Sequence, residues 1–196
     1  MNPAILVSML LGGATVERST DCRWRADPPP ILGVIAGSSS FADVTRILGD
    51  APRSDDELFA RLCYRAAANQ DQTVLVFKSS GVDGWGRRVS SIRLSAKGIA
   101  PDRQGRCAPV PLVSQEIRVA GMFHLGMTTK MVRDRLGQPQ VLEGSQWTYR
   151  CAWRRMSDAP SAPEASGWDI SGSAGIVFDV RDGVVESMEV YWGESY

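Results

Sequence analysis

The sequence predicts an α+β fold: two tandem repeats, each a short helix followed by antiparallel strands, with the helices packed on one face of the sheet. Three observations predict it. A capped helix, a glycine stop and a proline turn lie in order over Gly126–Pro139. A degenerate copy of that arrangement lies over Ser38–Pro52. Strand-like segments then follow each copy in the same order.

In the second copy Thr128 is placed to cap the helix, because its hydroxyl can accept from the orphan amides of the first turn. Met131, Val132 and Leu136 recur at helical spacing and give one apolar face. Gly137 fits the left-handed position that ends helices, and Pro139 prevents resumption. In the first copy Ser39 or Ser40 supplies the cap, and Phe41, Val44, Ile47 and Leu48 form the apolar face. Val44, Leu48 and Gly49 match Val132, Leu136 and Gly137 at one constant offset.

The echo continues downstream. Cys63-Tyr64-Arg65 corresponds to Thr148-Tyr149-Arg150, and Val74–Phe77 to Gly175–Phe178. Val89–Leu94 corresponds to Val185–Val190. Order is kept while the offset drifts, as expected when insertions fall in loops, and several matches in order indicate a tandem repeat. The divisions that follow are 1–14, a signal segment; 15–97, the first repeat; 98–120, a connection; and 121–196, the second repeat.

Gly-Met-Thr at 126–128, Val132, Leu136-Gly137-x-Pro139, Trp147-x-Tyr149, a Val-Phe strand and a last hydrophobic strand resemble the BamE/SmpA-OmlA family. Those proteins are small outer-membrane lipoproteins that assist β-barrel assembly. The same fold in tandem is that of β-lactamase inhibitory protein. The resemblance covers 121–192 well and 31–95 loosely, and its motifs specify fold better than role. It implies no catalytic residues and no cofactor.

Composition is that of an ordinary globular chain, with 43% hydrophobic and 22% charged residues. Twenty-two basic residues balance twenty-two acidic ones, so no global field favours nucleic acid or an anionic membrane. The apolar run at 3–13 is too short to span a bilayer. With Gly12 and Ala14 at its end it reads as a clipped secretory signal that lacks its basic start. Cys22 follows Ser-Thr-Asp and does not look like an acylation site, so no lipid anchor is expected.

The cysteines are Cys22, Cys63, Cys107 and Cys151, and none has Cys-x-x-Cys spacing, which gives zinc and thioredoxin-type readings no support. The repeat suggests the symmetric pairing Cys22–Cys63 and Cys107–Cys151. Cys63, however, aligns with Thr148, one residue out of phase, and a one-residue slip reverses the sheet face. The bridging pair Cys63–Cys107 therefore stays open, as do four buried thiols in a reducing compartment.

Along the chain, Asp27–Pro30 is a stiff lead-in, 58–66 and 73–79 read as strands, and Gly81–Gly86 reads as a hairpin turn before a strand at 89–95. Gln115–Ala120 reads as a further short strand. Trp147, Tyr149, Cys151 and Trp153 alternate with Thr148, Arg150, Ala152 and Arg154, which gives a strand with an apolar and a cationic face. Residues 156–173 read as a long loop. Ile176, Phe178 and Val180 alternate again, Arg181–Gly183 turns the chain, and Val184–Trp192 is the last strand.

Little in the chain suggests catalysis. His124 is the only histidine, so a histidine metal cluster is excluded and a His-Asp pair has a single candidate. Ser171–Gly175 superficially resembles a nucleophile elbow but lacks its first glycine and a following helix. No phosphate loop or dinucleotide fingerprint is present. The expectation is a non-enzyme with no metal and no cofactor. The residue types that favour interfaces are Arg150, Trp153, Arg154, Trp168 and Tyr191, whereas Trp147 and Tyr149 read as core. The function expected is an exported, periplasmic or secreted module that binds another protein and spans no membrane. Its partner would be a cell-envelope component. A secreted inhibitor of a hydrolase is the second reading.

Overall fold

A computed structural model of the chain describes residues 16–18, 28–55, 59–80, 88–97, 107–155 and 170–195. The elements run β1 (Val16–Arg18), α1 (Phe41–Leu48), β2 (Arg53–Asp55), β3 (Phe59–Ala66), β4 (Val74–Ser80), β5 (Ser91–Ser95) and β6 (Ala108–Val110). There follow α2 (Thr129–Leu136), β7 (Val141–Glu143), β8 (Gln146–Arg155), β9 (Ile170–Arg181) and β10 (Val184–Ser195).

The strands form one sheet in the order β1-β8-β9-β10-β5-β4-β3-β2, with β7 added beside β8 and β6 beside β3. All pairings are antiparallel except that of β6 with β3. Each half is laid down as helix, three-residue strand, then three longer strands, and the halves join where β5 pairs β10.

This overturns the α+β expectation. The described residues are mainly one large antiparallel sheet with two helices of eight residues each. Both helical signals are real, but each makes only about two turns, too little for a helical layer. Most of the apolar chain that covers the sheet's inner face is irregular: Ile31, Val34 and Ala36 before α1, and Val113, Ile117, Val119, Phe123, Leu125 and Met127 before α2. Phe41, Val44 and Leu48 of α1, and Val132 and Leu136 of α2, join them in the core. The core's largest sheet members are Tyr64, Leu75, Phe77, Ile92, Leu94, Ile176, Phe178 and Met188. Edge-to-face ring contacts link Tyr64 with Phe77 and Phe178 with both Phe123 and Tyr149.

Helix ends follow local chemistry. The Ser40 side chain accepts from the Asp43 amide at 3.2 Å, and the Asp43 carboxylate accepts from the Ser40 amide at 2.9 Å, a reciprocal cap. Thr128 caps α2 by accepting from the Met131 amide at 3.3 Å. Gly49 and Gly137 end the helices with φ of 83° and 78°, values that glycine adopts without steric cost.

Three further expectations are corrected. Gln115–Ala120 is not a strand but a series of turns closed by a bridge between Val119 and Phe123, where Ala120 has a φ of 55°. The loop expected over 156–173 ends earlier, because β9 already begins at Ile170. Small residues there (Ser171, Gly172, Ser173) hid a strand that the pairing with Ala152–Arg154 imposes.

The third correction is the disulfide. Cys63 is bonded to Cys107, with Cα atoms 4.5 Å apart. The symmetric pairing fails because the two strand cysteines sit on opposite faces. Cys63 shares its face with Val76 and Arg93, whereas Cys151 lies two residues from Tyr149 on the core face and is buried. β6 starts beside Tyr64, which brings Cys107 alongside Cys63. Cys151 is also disulfide-bonded, and Cys22 lies outside the described residues, as do the signal segment 1–14 and the turn at 81–86.

Candidate functional site

The face of the sheet turned away from the core carries the polar residues. Register places them in rows across the strands, since directly paired residues share a face. One row reads Arg150, Gly175, Tyr191, Ser91, Lys78, Arg61 and Ser54 from β8 to β2. The next reads Thr148, Val177, Glu189, Arg93, Val76 and Cys63. The third reads Gln146, Asp179, Ser187, Ser95, Val74 and Arg65.

The second and third rows are knitted together at the seam between the two halves. Arg93 Nη2 lies 2.6 Å from Asp179 Oδ2 and donates to Ser187 Oγ at 3.2 Å. Ser187 Oγ in turn donates to the Asp179 carboxylate. Glu189 stands 3.8 Å from Arg93 Nη1 and 3.6 Å from Lys78 Nζ. The charged side chains of this network are between 24% and 32% exposed, and Ser187 is buried. Their attraction is thus screened less than that of a surface pair, although not freed from water. The network straps β4, β5, β9 and β10 to one another.

The first row differs, because it holds cations and a tyrosine but no carboxylate. Arg150 is exposed, and Tyr191 and Arg61 are half-buried. Gly175 makes room for Tyr191. A Cβ at Gly175 would sit 2.7 Å from the Tyr191 hydroxyl and 2.8 Å from Cε1. The ring therefore leans from β10 across β9 towards Arg150 of β8. Burial raises the Tyr191 hydroxyl above its ordinary range, and the positive charge of Arg150 opposes that shift.

Of the residues expected at an interface, Arg150 and Tyr191 are thus brought to one row. Trp153 and Arg154 lie in β8, paired with Gly172 and Ser171 and with β1 on the other side. Trp168 lies outside the described residues. Tyr149 is buried in the core, and Trp147 packs against it with the Arg133 guanidinium 5.0 Å above its ring. Lys78, Arg61 and the Arg93–Asp179 pair were missed by the sequence reading. The alternation of Lys78 with Phe77 was a signal that could have found the first of them.

His124 stands apart from this face, with Nδ1 2.9 Å from the Leu125 carbonyl oxygen. Ser171–Gly175 lies inside β9, not at a strand-to-helix turn. Among the described residues no group of His, Cys, Asp and Glu side chains is arranged to hold a metal ion, and no helix is long and apolar enough to cross a membrane.

No protein-family model, curated protein or solved structure matches the chain.

Proposed function

We propose that this chain is a non-catalytic, exported binding module whose polar sheet face engages another protein. The observation that carries the reading is the row Arg150–Tyr191–Lys78–Arg61, an aromatic among cations on a rigid sheet. Tyr and Arg are the residue types that dominate binding energy at interfaces. The Cys63–Cys107 disulfide supports an oxidising compartment, periplasmic or extracellular. The resemblance to the BamE/SmpA-OmlA family adds a cell-envelope partner, within outer-membrane assembly, as the first place to search.

The test is chemical crosslinking of the full chain in envelope extracts, compared with the variant carrying Lys78→Glu and Arg150→Glu. A single crosslinked partner that is lost in the variant supports the reading. Crosslinking that is unchanged by the double substitution overturns the assignment of this face. A hydrolase as the captured partner, inhibited on binding, would make the module an inhibitor and not an assembly factor.

A further inference from the structure

The two ends of the sheet are finished differently. On the outer side of β3, β2 and β6 pair in turn, and the Cys63–Cys107 bond pins β6 there. β2 has the sequence Arg53-Ser54-Asp55. Charged side chains of this kind are how native edge strands discourage further pairing. At the other end the outer side of β8 is closed by β1 near Arg155 and by β7 near Gln146. Between them the Gln140 side chain stands in for a strand: its amide donates to the Arg150 carbonyl at 2.7 Å and its oxygen accepts from the Arg150 amide.

β7 occupies the place in its half that β2 occupies in the other, yet it reads Val141-Leu142-Glu143 and all three residues are exposed. Leu142, at 62%, is the most exposed large hydrophobic side chain among the described residues. It pairs with Trp147, so its side chain extends the apolar surface of that ring.

The backbone of Leu142 also faces outward. Arg150 turns its amide and carbonyl towards the β7 side, so Thr148 and Gln146, two and four residues earlier in β8, do the same. Their partners Val141 and Glu143 point inward, and the N–H and C=O of Leu142 between them point away from the sheet.

We propose that a second copy of this chain docks here, the two β7 strands pairing antiparallel about a twofold axis that passes beside Leu142. This inference is independent of the polar face and goes beyond the binding function above. A strand centred on one outward-facing residue is complementary to itself: the two Leu142 residues exchange both backbone hydrogen bonds across the axis. Val141 then lies opposite Glu143 of the second copy, so the Glu143 carboxylates do not face each other. Two leucines meet at the centre, with the Trp147 rings behind them. A three-residue pairing is at the low end of specific interfaces, so the dimer forms only at high concentration, on the order of 100 µM.

Sedimentation equilibrium of the full chain up to about 1 mM tests this, alongside Leu142→Lys and, as a control at another exposed leucine, Leu112→Lys. The expected result is a monomer–dimer equilibrium that Leu112→Lys preserves and Leu142→Lys weakens by about tenfold or more, since like charges would then face one another. A second readout is Leu142→Cys under mild oxidation. Paired residues about 5.5 Å apart at Cα admit a disulfide, so a covalent dimer is expected here and not with Leu112→Cys. A wild-type chain that stays monomeric at about 1 mM overturns the proposal. So does a dimer indifferent to Leu142→Lys, or a Leu142→Cys chain that links no faster than Leu112→Cys.

Discussion

The Tyr149 hydroxyl donates a 3.0 Å hydrogen bond to the carbonyl of Gly137, tying the middle of β8 to the end of α2. Tyr64 makes the same bond, 2.9 Å, to the carbonyl of Gly49 at the end of α1. In each half a core-facing strand tyrosine thus satisfies a carbonyl that the helix terminus cannot pair internally. These bonds fasten a two-turn helix, too short to persist alone, to the sheet that supports it.

Replacing either tyrosine by phenylalanine keeps the ring packing and removes the bond. We expect Tyr149→Phe and Tyr64→Phe each to lower stability by about 1 kcal/mol. Urea denaturation curves check this, with an unchanged slope showing that compactness is kept. The two losses should add, because the residues lie in different halves and share no partner.

The Tyr64 bond is pH-sensitive in a defined direction. Burial raises the Tyr64 hydroxyl above the ordinary tyrosine value of about 10, and the negative charge of Asp50 adds to the shift. A raised folded-state value means stability that is complete below the unfolded value and lost as pH rises beyond it. Wild type and Tyr64→Phe should therefore differ most at neutral pH, and their stabilities should converge as pH passes about 10 and climbs further. A gap that stays constant up to pH ~11 contradicts the assignment.

What could be read in advance was what is encoded locally. Ser40, Thr128, Gly49 and Gly137 mark helix ends through chemistry within a few residues. Tyr149, Ile176 and Phe178 announced their strands by period-two alternation. The layer built from Val113–Met127 has neither period, and its apolar residues find the core through turns that no pattern signals. The Cys63–Cys107 bond and the Arg93–Asp179 pair depend on which strands become neighbours, 44 and 86 residues apart. Arg150 and Tyr191 stood out by residue type. That they share a row was not legible, because it rests on the register of two hairpins meeting at Gly175.

Gly175 and Gly37 should both resist substitution, for different reasons. A Cβ at Gly175 would meet the Tyr149 carbonyl oxygen at 2.5 Å, a backbone atom that cannot step aside. One at Gly37 would meet the Trp192 ring at 2.5 Å, and its φ of 84° disfavours any side chain. We expect Gly175→Ala and Gly37→Ala each to cost roughly 1–3 kcal/mol. Gly37→Ala should also shift the tryptophan fluorescence, as Trp192 is displaced, whereas Gly175→Ala should move the titration of Tyr191.

Arg93 is the hub of the seam network, so its loss strands three partners on two strands, Asp179 of β9 and Ser187 and Glu189 of β10. Arg93→Met keeps the stem and removes the charge, leaving Asp179 without its cation and Glu189 with Lys78 alone. A cost of about 1–2 kcal/mol is expected after allowing for partial solvent screening. High salt should narrow the gap between the variant and wild type, since screening weakens the attraction that the variant has lost. A variant as stable as wild type at low salt would show that the strap contributes nothing at the seam.

The Cys63–Cys107 bond joins positions separated by 44 residues. Closing a loop of that length in the unfolded chain stabilises the fold by up to ~4 kcal/mol on entropic grounds, and measured losses run about 2–5. Cys63→Ser with Cys107→Ser should therefore lower stability by about 2–4 kcal/mol. The loss should be global, not local. Val110 in β6 and Val113 just beyond it are buried in the core, so β6 has an anchor of its own besides the sulfur bridge. Amide exchange separates the two cases: protection at Tyr64–Ala66 should fall by the same free energy as at the β5–β10 seam. If only the Tyr64–Ala66 amides lose protection, the bond acts by clamping β6 to its edge, and the entropic account fails.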